Sequence, residues 1–158
     1  MARVWIVYFS RTGNTAEMAD HVSRGVRAEG VDVACTRVED TRLEELLEAD
    51  GIIMGSPTYY GTMAAELKAF IDESVRYHGK WVGKVGGAFS SSGAVGGGSQ
   101  TTVLDILKAQ LVHGMIVQGD AKSDHYGPVA VGKPDERSKA ECERLGRKVA
   151  QLVKQLES

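Results

Sequence analysis

The sequence predicts an α/β fold, a doubly wound sheet of five parallel strands in the order 2-1-3-4-5, with residues 1–158 forming a single domain. Three observations carry this. The runs Val4–Phe9 and Gly51–Gly55 are continuously apolar or small rather than alternating, as in strands covered on both faces. Strand-like and amphipathic helical segments alternate as βαβαβαβαβα, the pattern of a parallel sheet with right-handed crossovers. Stretches rich in glycine and small hydroxyl residues follow strands at 10–15, 56–61 and 90–98. In the order 2-1-3-4-5 the strands ahead of those stretches are neighbours, so the loops converge where such sheets bind ligands.

The first strand ends in Ser10-Arg11-Thr12-Gly13-Asn14-Thr15, and a helix begins there, with Asn14 and Glu17 spaced as a capping box. Thr15, Met18, Ala19, Val22 and Val26 share its apolar face, and Gly30 ends it. Val31–Cys35 alternates and reads as a strand on the edge side of the sheet. Asp40 and Thr41 can open a short helix carrying Leu43, Leu46 and Leu47. After Gly51–Gly55, Pro57 disfavours helix just before it, so 56–61 reads as a loop, with Thr62 capping the next helix. Met63, Leu67, Phe70, Ile71 and Val75 form that helix's apolar face.

Lys84–Phe89 is the fourth strand. The helix after it places Val103, Leu104, Leu107 and Leu111 on one face. Met115–Val117 is a short fifth strand, and Gly119–Lys133, which has no clear period, reads as a long loop. Pro134 suits the first turn of a last helix whose buried face holds Cys142, Leu145, Val149, Leu152, Val153 and Leu156.

Composition narrows the function. A net charge of -2, from 19 basic and 21 acidic residues, gives no electrostatic case for nucleic acid or an anionic membrane. No apolar run reaches spanning length, so membrane insertion is not expected. The first strand begins without a signal-like segment, and a cytoplasmic location is the expectation. Cys35 and Cys142 form no CxxC pair, and two thiols alone make no zinc site.

The chemistry lies in the three loops. Ser10, Thr12 and Thr15 offer hydroxyls, Gly13 gives conformational freedom and Asn14 can cap and donate; at a helix N-terminus this suits a phosphomonoester. No GxxxxGK followed by Ser or Thr is present, and no GxGxxG follows a strand. Pro57-Thr58-Tyr59-Tyr60-Gly61 offers aromatic rings for stacking on a flat ligand. Ser90-Ser91-Ser92-Gly93-Ala94-Val95-Gly96 can bring N–H donors to a heteroaromatic edge.

Together these residues resemble the flavodoxin-like family of FMN proteins. Ser10–Thr15 looks like the flavodoxin phosphate loop. Gly55–Gly61, Phe89–Gly93 with Gly96-Gly97-Gly98, Leu111-Val112-His113-Gly114-Met115 and His125-Tyr126-Gly127 look like the WrbA-type NAD(P)H:quinone oxidoreductases. This chain is shorter than that branch between its second and third strands, where WrbA-type enzymes carry residues implicated in their tetramers. The resemblance implies a flavodoxin-like FMN-binding domain. Ser10–Thr15 would hold the phosphate, Thr58, Tyr59 and Tyr60 would wall the isoalloxazine, and Ser91–Gly96 would bond its edge. It implies His113 as a flavin neighbour or acid, although a lone histidine ahead of a short strand is more often structural. Tyr77, His78 and Trp81 fall where that branch places an aromatic over the flavin. Arg11 reads as a solvated loop residue, or as a cation for reduced flavin or a nicotinamide phosphate.

The activity so implied is FMN-dependent reduction of a quinone or similar small acceptor, with NADPH or NADH as donor. The alternative is a flavodoxin-type one-electron carrier between redox partner proteins, and a third is a module that kept only the fold. Homo-oligomer formation stays open.

Overall fold

The computed structural model describes residues 1–158. Strand β1 (Arg3–Tyr8) leads into helix α1 (Asn14–Ala28), β2 (Asp32–Arg37), 3-10 turns at Val38–Asp40 and Leu43–Glu48, and β3 (Gly51–Tyr59). After β4 (Thr62–Met63) come α2 (Ala65–Glu73), β5 (Val85–Ser92), α3 (Ser99–Val112), β6 (Ile116–Val117), β7 (Val129–Val131) and α4 (Glu136–Glu157). The sheet runs β2-β1-β3-β5-β6, all parallel, which is the expected 2-1-3-4-5 order of positions. Two short strands are added to it: β4 pairs antiparallel with β3, and β7 pairs parallel with β5.

The apolar runs of β1 and β3 follow from burial on both faces. Val4, Ile6 and Ile53 pack in one layer with Met18, Val22 and Val26 of α1 and Val149 and Val153 of α4. Trp5, Val7, Ile52 and Met54 pack in the other with Leu67 of α2 and Val103 and Ile106 of α3. Successive strand residues feed opposite layers, so none in the interior can be polar. The β2 residues are all half-buried, as an edge position requires.

Glycine sets the closest approach of α1 and α4. A Cβ on Gly25 would lie 2.0 Å from the Glu143 carbonyl oxygen, and one on Gly146 would lie 2.1 Å from that of Val22. His21 Nδ1 meets Glu143 Oε2 at 2.8 Å across the same crossing.

Several expectations need correction. Gly13, at φ 103°, takes the α1 cap position, so Asn14 is the first helical residue and no side chain of the cap bonds the helix. Ser10 Oγ does that work from upstream, accepting from Gly13 N and Ala16 N at 3.2 Å each. The short helix near Leu43 is a 3-10 turn. Residues 56–59 are strand rather than loop. Thr62 does not cap α2; it lies in β4, joined to β3 through Tyr60 (φ 49°) and Gly61 (φ 82°). Positive φ at both central residues suits a two-residue hairpin turn. Val75, Leu111 and Leu156 are exposed and Leu104 borders on it, while Thr102 and Gln110 take buried places on α3. Pro134 precedes the α4 cap, which is Asp135, accepting from Ser138 N at 2.8 Å.

The expected long loop is only partly irregular. The fifth sheet position is split between β6, beside the start of β5, and β7, beside its end. The excursion between them is fixed by its own bonds. Asp120 accepts from Arg144 Nε (2.6 Å) and Lys122 N (2.8 Å), and Asp124 from Val129 N (3.1 Å) and Arg137 (2.9 Å). Cys142 is buried, as expected, and burial pushes its thiol well above the usual range; burial also raises Cys35, to about 11.

Candidate functional site

The carboxyl ends of β1, β3 and β5 meet in one cleft of about 530 Å³ including its open mouth. Arg11, Thr12, Asn14 and Thr15 line it from the first loop, Pro57, Thr58 and Tyr59 from β3, Ser91 and Ser92 from β5, and Gly93 from just beyond it. The remaining lining residue, Gly132, comes from the end of β7. The sequence does not announce it, because Val129–Val131, though two of its residues are β-branched, sits inside a stretch with no period. Its N–H donates to the Ser92 carbonyl at 2.7 Å, which fastens β7 to the cleft wall.

Hydroxyl bonds tie the three strand ends together. Thr15 Oγ1 and Ser91 Oγ lie 3.0 Å apart, joining the first loop to β5. Thr58 Oγ1 and Ser90 Oγ lie 2.9 Å apart, joining β3 to β5, and Thr102 Oγ1 of α3 donates to Thr58 Oγ1 at 3.1 Å. The serine and threonine content of these loops therefore holds the walls in register as well as facing the cleft.

The first loop presents donors. With Ser10 capping the helix, the N–H groups of Thr12, Asn14 and Thr15 meet no acceptor in the chain. Three open N–H groups and the positive end of a 15-residue helix are suited to an anion. Tyr59 forms a half-buried wall, and the Arg11 guanidinium lies 5.1 Å from its ring centroid.

The third loop is held by a close backbone approach. Gly98 has φ 105°, and a Cβ there would stand 2.7 Å from Gly61 Cα. Thr101 Oγ1 donates to the Gly61 carbonyl at 2.7 Å beside it. Not every expected residue faces the cleft. Ser10 and Gly13 shape the loop, Ser90 lies buried behind the wall, and Gly61 packs on Gly98. Tyr60, Ala94, Val95 and Gly96 stand exposed outside the cleft lining.

His113 requires correction. It follows the last residue of α3, whose 14 residues span about 20 Å, while the first turn of that helix packs at the cleft. Instead it lines a separate groove between α2 and α3, with Ser74, His78 and Val112. Ser74 Oγ donates to the Ile71 carbonyl at 2.5 Å, so at 2.7 Å it must accept from His113 Nε2–H. Burial, and then His78, push His113 below the usual histidine range. Trp81, at 4.2 Å between ring centroids, stacks on it in the core. Tyr77 packs against the core, and neither it, His78 nor Trp81 reaches the cleft.

The donor set fits FMN: open N–H groups at a helix N-terminus, an aromatic wall, and serine and glycine line the same cleft. No helix is long and apolar enough to cross a membrane. Residues 41–126, more than half of the chain, match the model of the NADPH-dependent FMN reductase family. The chain is 38% identical to a flavodoxin of Aquifex aeolicus, over 97% of this chain and 88% of that protein. It is 34% identical to an NAD(P)H dehydrogenase (quinone) of Archaeoglobus fulgidus, over 99% and 100% of the two chains. The crystal structure of a flavodoxin, WrbA-like protein from Agrobacterium tumefaciens superposes with TM-score 0.82 at 27% identity, covering 98% of this chain and 99% of that one. Cleft, fold and relatives agree, and the chain belongs to the flavodoxin-like family of FMN redox proteins.

Proposed function

We propose that residues 1–158 form one FMN-binding domain and that the chain is an NAD(P)H-dependent reductase of quinones or similar small acceptors. The observation that carries this reading is the set of open N–H groups at Thr12, Asn14 and Thr15 in the same cleft as Tyr59 and Ser91–Gly93. When bound, FMN supplies the hydride and electron chemistry. The chain's own residues do the rest. Thr12–Thr15 bind the phosphate, Ser10 and Gly13 hold that loop in shape, Thr58 and Tyr59 wall the ring, and Ser91–Gly93 donate to its edge. Tyr60, Gly61 and Ala94–Gly96 form the rim over which a donor or acceptor approaches. The relative named as a quinone dehydrogenase supports the acceptor class through its full-length match. Steady-state oxidation of NADPH or NADH by the FMN-loaded protein with benzoquinone tests it, and absence of turnover contradicts it.

A second reading, a one-electron carrier, is favoured by the flavodoxin that matches over 97% of the chain. The two part in a reductive titration: a carrier shows a separate one-electron stage, and a reductase is reduced in a single two-electron step.

A further inference from the structure

Arg11 is the only lining residue of the cleft that carries a full charge; no Asp or Glu lines it. Other arginines near this end are engaged. Arg37 donates to the Ser10 carbonyl at 2.9 Å and faces Glu39 at 3.8 Å, and Arg137 meets Asp124 at 2.9 Å. The Arg11 guanidinium is held only by the face of Tyr59, 5.1 Å from the centroid. That contact stations a cation without neutralising it. It also puts the charge on the aromatic wall of the cleft.

We infer that Arg11 is the countercharge for the reduced ring and sets the reduction potential of the bound cofactor. The inference rests on the FMN reading. A hydride donor would give up two electrons and one proton and leave as the oxidised nicotinamide, so that FMN held in the cleft would carry one more negative charge for Arg11 to face. Arg11 is exposed, so a cation held there by Tyr59 would stabilise that charge through solvent, in a salt-dependent way. With no carboxylate to oppose it, Arg11 biases the cleft toward the fully reduced state. Its bias matches two-electron delivery to a small acceptor.

The test is the affinity of wild type, Arg11→Gln and Arg11→Lys for oxidised and for reduced FMN, with the midpoint potential from a dye-equilibrated titration. Arg11→Gln should weaken reduced FMN about tenfold more than oxidised FMN, lowering the potential by about 30 mV for a two-electron couple. Arg11→Lys should keep most of the wild-type value, and added salt should shrink the difference. Equal weakening of both states by Arg11→Gln would assign Arg11 to the phosphate or the loop and overturn the inference alone. An unchanged ratio of the two affinities would overturn it as well. Failure of the wild type to bind FMN would remove the cofactor reading, and the inference with it.

Discussion

The hydroxyls of Thr15 and Ser91 meet at 3.0 Å, although 76 residues separate them in the chain. Thr15 is the second residue of α1 and Ser91 lies near the end of β5, so this bond closes the first loop against the third. Thr15→Val removes one hydroxyl and leaves Ser91 without its partner in a buried place. Stability should fall by about 1–2 kcal/mol, read by urea unfolding of the FMN-free protein. FMN affinity should fall too, read by quenching of flavin fluorescence.

Gly98→Ala tests the approach of the third loop to the β3–β4 turn. The new Cβ combines a left-handed backbone with a 2.7 Å contact to Gly61 Cα, and backbone cannot swing aside as a side chain can. A loss of about 2 kcal/mol or more is expected in urea unfolding.

Gly146→Ala forces α1 and α4 apart, because its Cβ would lie 2.1 Å from the Val22 carbonyl oxygen. Unfolding should come earlier by about 1–3 kcal/mol. An unchanged melting curve would show that the helices do not pack as closely as described.

His113→Gln separates structure from chemistry. His113 bonds Ser74 at the far end of α3 from the cleft, so a substitution there should act on the two ends independently. The FMN dissociation constant should stay within about twofold of wild type. Stability should drop by about 1 kcal/mol as Trp81 loses the ring packed against it.

Asp120 gives the pH dependence a source. The Arg144 hydrogen bond, followed by those of Lys122 N and Lys148, holds its carboxyl well below the usual carboxylate range. The unfolded chain takes up a proton at about pH 4, where the folded chain still refuses it. The stabilisation is therefore complete above about pH 4 and is lost progressively as the pH falls further. Urea midpoints measured from neutral to strongly acid pH should fall for the wild type. Asp120→Asn should start lower at neutral pH and lose less. Parallel curves would contradict the assignment.

Much of this was legible in the sequence. Unbroken apolar runs such as Val4–Phe9 announce a strand buried on both faces, and the loops after three such strands mark the binding edge. What escaped depends on distant partners. Asn14 is spaced as a cap, yet Ser10 caps instead, and this frees the Asn14 N–H for the cleft. Residues 119–133 have no period because their order comes from Arg137, Arg144 and Lys148 on α4, not from local pattern. His113 shares a short stretch of sequence with a known branch, but the length of α3 carries it away from the cleft.

The central claim is that the strand ends grip a phosphorylated planar ring by its phosphate. Parallel titrations with FMN and riboflavin test this most directly, since the two differ only in that group. Two or more charge-assisted hydrogen bonds from the open N–H groups predict FMN binding tighter by about 100-fold. Equal affinity for the two would contradict the account.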